Sequence, residues 1–327
     1  MSTQSSNPPS RAIYTVADNR FFIGVVALIN SLRLVGHREP VFVLDCGFTP
    51  EQARILGPEA TCIPAGEGSP FLLKPILPLA EPAETMLLVD ADVIVTRSFD
   101  ELFDQAEERG GVAFADALDR FAPEWQTLLG LPELRRQTYF NSGILVLSSR
   151  VAEPMLTSIL ETGENADLAR SMVTPGMDPG YPLYFLDQDI ANAVSSSLLP
   201  AGTLRVLEHR LTPHPPFSGV ALLDAARLEC AYPDGLRPFA LHHIQTKPWL
   251  TDVVPTVFSQ LLPRLLLAED VAIRLRPEML PLRLRTGFAA EVARRHSATV
   301  ARLRRARGTI GVRRRLEALR PGGLFGV

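Results

Sequence analysis

Two aspartates separated by one alanine, Asp90-Ala91-Asp92, sit inside the apolar stretch MLLVDADVIVTRSFDELF at residues 86–103. Met86 to Val89 has the length and composition of a fully buried strand. Two ionised carboxylates at i and i+2 beside such a strand would each cost several kcal/mol unless a compensating charge meets them. Where the strand ends, both side chains can reach one cation. Hard divalent ions such as Mg²⁺ or Mn²⁺ take carboxylate oxygens and keep positions open for phosphate. The other reading is a pair of turn residues at a strand end. The apolar Val93-Ile94-Val95 that follows favours a carboxylate pair inside the fold. Ser98 and Glu101 then have the spacing of a capping box that starts the next helix.

Further polar residues fall where strands end or helices begin: Asp18-Asn19, Asp45, Asn141-Ser142 and Asp187-Gln188. Lys74 and Lys247 are the only lysines, against 31 arginines. His242 and His243 precede the triplet Lys247-Pro248-Trp249. Each has an ordinary alternative. Asp18-Asn19 makes a common turn pair, and Asn141 could satisfy strand-end backbone. Asp187 and Asp189 could be helix N-terminal acids favoured by the macrodipole. Lys74 could be a surface charge. Their joint occurrence argues for a site.

The elements that must position them are those of a parallel α/β sheet. RAIYTVA (Arg11 to Ala17) reads as a first strand, and FFIGVVALINSLRLV as a helix with a buried face at Phe22, Val25, Val26, Ile29 and Leu32. PVFVLD (Pro40 to Asp45) reads as a second strand. Thr49-Pro50-Glu51-Gln52 supplies an N-cap, a first-turn proline and a Gln three residues on. ATCIP (Ala60 to Pro64) is a third strand. Alternating strands and helices with short connections indicate parallel pairing, and such sheets bind ligands at the carboxyl ends of their strands. Strands are also expected at Gly111 to Asp116, Tyr139 to Ser148 and Leu204 to Glu208, with helices at Val151 to Glu161 and Asp187 to Ser195. Thr162 to Pro182 reads as a mobile loop able to close over a site. Thr212 to Gly219 is a proline-stiffened loop. Beyond Pro255 the pattern turns to Leu- and Arg-rich helices.

Composition sets the class. Of 327 residues, 46% are apolar and 21% charged, as in a globular protein. No apolar run approaches the roughly 20 residues that span a bilayer. Residues 1–10, MSTQSSNPPS, have no basic n-region or apolar h-region and are expected to be a disordered tail. Cys46, Cys62 and Cys230 lack metal-ligand spacing and read as reduced thiols of a cytoplasmic protein. The net charge of −3 hides an asymmetry. Residues 281–327 hold 12 Arg against 2 Glu, which leaves the preceding 280 residues at −13.

Four segments, YTVADN, LLVDADVIVTRSFDELF, YFNSGILVL and LDQDIANA, occur in an order that resembles the family 8 glycosyltransferases, glycogenin and the bacterial lipopolysaccharide galactosyltransferases among them. The resemblance covers roughly residues 11 to 250. It implies an α/β fold of the GT-A (Rossmann-like) kind, a mixed, mostly parallel sheet flanked by helices. Residues 251–327 would form an Arg-rich helical C-terminal extension. It implies a retaining hexosyltransferase, with Mn²⁺ (or Mg²⁺) as cofactor and UDP-glucose or UDP-galactose as donor. In the roles the resemblance carries over, Asp90 and Asp92 hold the metal against the UDP diphosphate. Asp18 and Asn19 meet the uracil and ribose. Lys74 lies near the donor, with Ala91 beside it between the two aspartates. Asn141 and Ser142 bond donor sugar hydroxyls, and Asp187 and Gln188 lie by the anomeric carbon. The family pattern His-x-x-Gly-x-x-Lys-Pro-Trp puts a histidine on the metal and a lysine on phosphate. Here Lys247 is present, but Leu241 occupies the histidine position and the glycine is missing. A one-residue deletion would let His242 reach the metal, with His243 as the alternative.

The acceptor is expected to be a saccharide, lipid-linked or protein. The basic segment 281–327 could form helices with Arg on one side and Val, Leu and Ile on the other, lying on an anionic inner membrane face. Packing on the acidic body of the same or another subunit, in a homo-oligomer, is the alternative. It lacks the interleaved aromatics of a nucleic-acid binder, so no nucleic-acid partner is expected. Two other functions compete. A sugar nucleotidyltransferase would need a Gly-rich basic loop after the first strand, and ADNRFFIG is a poor substitute. A non-catalytic nucleotide-sugar-binding module would not need Asp90, Asp92 and Lys247 together.

Overall fold

Arg11–Ala17 (β1) is rich in β-branched and aromatic residues and buries most of its length at the centre of a sheet. The computed structural model describes residues 8–65, 72–244 and 246–318, with backbone alone for residues 305 and 307–318. Residues 1–7 of the expected N-terminal tail and 319–327 of the basic segment lie outside the described residues. Pro9 and Ser10 offer their carbonyls to the Glu84 and Thr85 N–H groups at 3.0 and 2.9 Å.

After β1 come Phe22–Leu34 (α1), Val41–Asp45 (β2), Pro50–Leu56 (α2), Thr61–Pro64 (β3) and Ile76–Ala80 (α3). The expected cap is present: Thr49 and Gln52 form a reciprocal capping box on α2. Thr85–Val89 (β4), Val93–Val95 (β5), Asp100–Arg109 (α4), Gly111–Ala115 (β6), Trp125–Leu128 (α5) and Phe140–Ser148 (β7) follow. The second expected box does not form. The Ser98 hydroxyl turns to Asp100, accepting its N–H at 3.1 Å and donating to its carboxylate at 2.7 Å. Glu101 is drawn to Arg97 at 2.8 Å instead. Ser149–Asn165 (α6) runs past the expected end at Glu161, so the long irregular segment begins at residue 166. It ends at Asp187–Leu198 (α7). Leu204–Leu207 (β8), Ala221–Asp224 (β9), Glu229–Ala231 (β10), Ala240–His242 (β11), Val257–Leu267 (α8) and Phe288–Ala318 (α9) complete the order.

Seven strands form one sheet in the order β3-β2-β1-β4-β7-β6-β8. Neighbours pair in parallel except β7, which runs against both β4 and β6. Helices cover both faces, as parallel pairing requires. On one face α1, α4 and α8 share a core through Val25, Ile29, Phe103 and Leu262. On the other, α3, α6 and α7 pack through Leu77, Met155 and Val194. Among the described residues no helix is long and apolar enough to cross a membrane.

Asn30 is fully buried in α1. Its amide donates to the carbonyls of Leu265 and Ile273 at 2.6 and 2.7 Å, and its oxygen accepts the Ile273 N–H at 2.8 Å. Along α9, small residues face inward: Ala290, Ser297 and Ala298 are buried. Phe288, Val292 and Leu303 share the exposed surface with Arg295, Arg302 and Arg304. The expected division of arginines from apolar side chains therefore does not hold over 288–304. The close packing of 290 and 298 against the body turns the larger residues outward.

Candidate functional site

The carboxyl ends of β1, β2 and β4 lie side by side because these strands run parallel. β7 runs the other way, so its start reaches the same edge. The Asp90 N–H donates to the Gly143 carbonyl at 2.9 Å, fixing the Asp90-Ala91-Asp92 turn against the Asn141-Ser142-Gly143 corner. The β6–β7 register breaks between Ala113 and Phe114, where Asn141 enters the ladder. Such irregularities re-aim side chains at sheet rims. Ala91 is buried, and its carbonyl lies against Gly24 of α1.

β11 brings in the C-terminal motif. It pairs antiparallel with β5, which sets His242 opposite Val93, one residue beyond Asp92. Successive side chains of a strand face opposite ways. His242 therefore meets the aspartates, with Nε2 3.2 Å from Asp92 and 3.5 Å from Asp90. His243 packs between Phe217 and Phe258 on the other side. Room for His242 comes from Gly143: a Cβ there would lie 2.1 Å from His242 Cε1.

Asp90, Asp92 and His242 each present one donor atom, and the three lie within 4.8 Å of one another. Two carboxylate oxygens and one imidazole nitrogen suit Mn²⁺ and admit Mg²⁺. Asp92 Oδ1 is buried and faces His242 Nε2, so both atoms are turned toward the point a shared cation would occupy. A second three-residue group, His37, Glu39 and Asp100, has its histidine fixed between Glu39 and the Phe99 N–H at 3.0 and 2.9 Å.

Both lysines join the cluster. Lys74 Nζ bridges Asp90 at 2.7 Å and Asp187 at 2.8 Å. Lys247 donates to Asp92 and to the His243 carbonyl. Burial resists ionisation of Asp90, but Lys74 and His242 outweigh it and hold the carboxyl below its usual range. Asp92 is likewise held low, by His242 and Lys247 against burial. Burial disfavours charge on His242, yet Asp92 and Asp90 raise it to about 9.

Asp187 and Gln188 start α7. Asp187 also accepts from the Ser142 hydroxyl at 2.9 Å. Gln188 Oε1 accepts from Asn141 Nδ2 at 2.8 Å, and Gln188 Nε2 donates to Asp116 at 3.1 Å. Leu186, just before the helix, has φ of 53°, a conformation that costs a non-glycine residue about 1–3 kcal/mol. Asp189 holds that turn, accepting from Arg120 at 2.9 Å, Tyr139 at 2.8 Å and the Phe185 N–H at 2.7 Å. Burial pushes Asp189 up to about 6, opposed by Arg120.

Asp18 and Asn19 stand apart. Asp18 caps the turn Asn19–Phe21 and pairs with the Arg20 guanidinium at 2.7 Å. The Asn19 carbonyl accepts from Gln52 at 3.1 Å. No hydrogen bond joins either to the Asp90–Asp92 cluster among the described residues. The connection runs through Trp249, which donates to the Arg20 carbonyl at 2.9 Å, and through Lys247, 5.7 Å above the Phe21 ring.

Sequence reasoning gave no site role to Asp116, Arg120 and His214, and read Asp189 only as a helix N-terminal acid. Asp116 follows β6 at the same sheet edge as Asp90, and that position was its only signal. His214 packs edge-on to His242 with ring centroids 5.2 Å apart. Burial and then His242 push it down to about 4, so its ring is neutral at pH 7.

No family model matches the chain, and no curated protein matches it. Solved structures do. A crystal structure of an active-site glutamine-to-glutamate variant of LgtC is 17% identical with a TM-score of 0.52, covering 82% of this chain and 98% of that one. The galactosyltransferase LgtC in complex with donor and acceptor sugar analogs is 17% identical with a TM-score of 0.51, covering 79% and 98%. The apo structure of the bifunctional glycosyltransferase WbbM is 16% identical with a TM-score of 0.52, covering 83% of this chain and 51% of that one. These identities carry the fold. The seven-stranded, mostly parallel sheet flanked by helices has the GT-A architecture of those glycosyltransferases.

Proposed function

We propose that the protein is a metal-dependent, retaining hexosyltransferase of family 8 type. It would move glucose or galactose from a UDP-sugar to a saccharide, lipid-linked or protein acceptor. The observation that carries this reading is the convergence of Asp90, Asp92 and His242 at the sheet's carboxyl edge, with a lysine on either side. In this reading Asp90, Asp92 and His242 hold Mn²⁺ or Mg²⁺. When bound, the cation supplies charge neutralisation to the departing diphosphate.

The chain's own residues account for the remainder. Lys247 offers a point charge to the diphosphate. Asp18 and Asn19, at the end of β1, flank the place for uracil and ribose. Lys74, Ala91, Asn141, Ser142 and Asp187 orient the donor hexose. Gln188 lies by the anomeric carbon, its amide held by Asn141 and Asp116. An active-site glutamine is also named in LgtC. A glutamine amide is a poor nucleophile, which favours attack on the leaving-group face. The acceptor hydroxyl oxygen bonds to the anomeric carbon as its bond to the UDP phosphate breaks. The hydroxyl proton passes to the departing phosphate oxygen, giving the glycoside and UDP. Residues 11–250 form the transferase unit in this reading, 251–327 a helical extension whose α8 packs on that unit, and 281–327 the basic part for peripheral contact with an anionic membrane on its cytoplasmic side.

Calorimetric titration of UDP and UDP-hexoses, with and without Mn²⁺, tests the proposal. Tight binding only with metal, followed by UDP release on turnover, is expected. Binding without turnover on any acceptor would favour a nucleotide-sugar-binding module. Failure of every uridine nucleotide to bind would sink the donor assignment.

A further inference from the structure

Behind the Lys247-Pro248-Trp249 motif lies a cavity of about 330 Å³, within the size range of small-molecule sites. Its wall is formed by Pro248, Val253, Pro255 and Pro263, by residues 283–287, and by α9. The wall is mostly apolar, yet Arg283, Arg285 and Ser297 also line it.

These three carry unused donor capacity. Ser297 is 3% exposed, and its hydroxyl has no hydrogen-bond partner among the described residues. A buried hydroxyl in that state is costly unless a water or a ligand oxygen meets it. Arg283 donates from Nε to the Pro248 carbonyl at 3.0 Å. The carboxylate nearest to its guanidinium, Asp252, is 4.0 Å away and is also 3.8 Å from Arg304. Burial pushes the Arg283 guanidinium below its ordinary range, with Asp252 restoring part of the loss. Arg285 donates from Nε to the Leu280 carbonyl at 2.9 Å, and no carboxylate lies within 4.0 Å of it among the described residues. Arg294 is committed elsewhere: it pairs with Glu291 at 2.9 Å and donates to the carbonyls of Arg283 and Arg285. Those bonds hold the backbone of residues 283–285, and the Nε bonds to Pro248 and Leu280 orient the two remaining guanidinium groups.

Two forks and a hydroxyl form a donor set for a tetrahedral oxyanion, since guanidinium matches phosphate oxygens in pairs. A bare anion would leave the proline and leucine wall wet. Large apolar side chains also stand in solvent next to this stretch: Leu250, Leu282 and Phe288 are 49%, 47% and 85% exposed. We propose that this cavity binds a phosphate group carried on an apolar chain. Arg283, Arg285 and Ser297 would take the phosphate, while Pro248, Val253 and Leu284 receive the first methylenes of the chain. Such a phosphate could belong to a membrane phospholipid or to a lipid-linked acceptor. The proposal does not depend on the transferase reading.

The test titrates the full-length protein with decyl phosphate, inorganic phosphate and the neutral detergent decyl maltoside, each below its micelle concentration. Decyl phosphate should bind one to one, roughly tenfold or more tightly than either of the others, because only it uses both the donors and the wall. Arg283→Gln and Arg285→Gln should each weaken it about tenfold. Ser297→Leu should abolish it by filling the cavity. Arg285 lies on the surface turn, so Arg285→Gln keeps the question open to decision if Ser297→Leu fails to fold, and thermal melts show which has happened. Equal binding of the neutral detergent would mean an apolar cleft alone and would overturn the proposal. Equal binding of inorganic phosphate would mean an adventitious anion site and would overturn it as well. Sources separate in a second arm, with neutral phosphatidylcholine vesicles doped with phosphatidylglycerol or with a polyprenyl phosphate. Arg285-dependent retention on either supports the site and identifies its ligand. Retention on both that is indifferent to Arg285→Gln would overturn it. UDP titration with Mn²⁺, run beside these, reports on the donor site separately.

Discussion

Gly143 and His242 occupy one space: a Cβ on residue 143 would fall 2.1 Å from His242 Cε1. No rotation of a methyl group relieves such an overlap, so the imidazole or the strand must move. Gly143→Ala should therefore lower Mn²⁺ affinity roughly 10- to 100-fold, in the range seen when a ligand's supports are altered. His242→Ala should do at least as much and His243→Ala much less, since His243 packs away from the aspartates. Mn²⁺ titration of the three variants checks the order, and a larger loss in His243→Ala would show that the wrong histidine has been assigned.

Asp92 links both cations of the C-terminal motif, His242 and Lys247. Asp92→Ala should abolish Mn²⁺-dependent UDP binding. Calorimetry that returned undiminished affinity would leave the two carboxylates with a structural role alone.

Lys74 joins Asp90 to Asp187 across the site. Lys74→Met leaves two carboxylates facing each other with less compensation. Breaking a fully buried pair costs about 3–5 kcal/mol, and Lys74 is 22% exposed on its side chain, so a loss of about 2 kcal/mol is expected. Added Mn²⁺ should recover part of it by neutralising Asp90. A melting temperature equal to wild type in metal-free buffer would refute the bridge's contribution.

His242 is raised from 6.5 to about 9 in the metal-free protein. Its pairing with Asp90 and Asp92 therefore stabilises the fold fully below pH 6.5, and that contribution is lost as pH rises through about 9. Metal binding runs in the opposite sense, because the imidazole must shed its proton to coordinate. Mn²⁺ affinity should climb between pH 6.5 and 9 and level off above, with one proton released per ion. Titrations in buffers of different ionisation enthalpy measure that proton, and a flat profile across this window would contradict the arrangement.

Gly24 brings α1 against the Asp90-Ala91-Asp92 turn. A Cβ there would lie 2.2 Å from the Ala91 carbonyl and 2.9 Å from Trp249. Gly24→Ala should destabilise by about 1–3 kcal/mol through overpacking, despite the better helix propensity of alanine. Denaturant midpoints give the answer, and a stabilised variant would mean that the contact yields readily.

The central sheet was legible because its strands are short, apolar and punctuated by polar turns. β1 spans Arg11–Ala17, and α2 carries the cap read from Thr49, Pro50 and Gln52. The Ser98–Glu101 box failed because spacing says nothing of competitors, and Arg97 claims Glu101. The DxD cluster was legible through an energetic anomaly, carboxylates beside a buried strand. What stayed hidden depends on pairing distant in sequence. β5 and β11 are three residues each and give no periodic signal, yet their register decides which histidine faces Asp92. Asp189 looked like one more N-terminal acid, because Arg120 and Tyr139, which hold it, lie far away along the chain. His214 sits in a proline-rich loop with no local motif.

Asn30 has a consequence for the order in which this chain can mature. Its partners are 235 and 243 residues downstream. While a ribosome is still making the intervening segments, α1 can dock on the nascent sheet only with a buried amide lacking all three bonds. Contacts of such long separation form late, and unfinished chains expose apolar surface in the meantime. The packing of α1 is therefore completed only after α8 and Ile273 have emerged, which makes the C-terminal third a latch on the N-terminal half during biosynthesis.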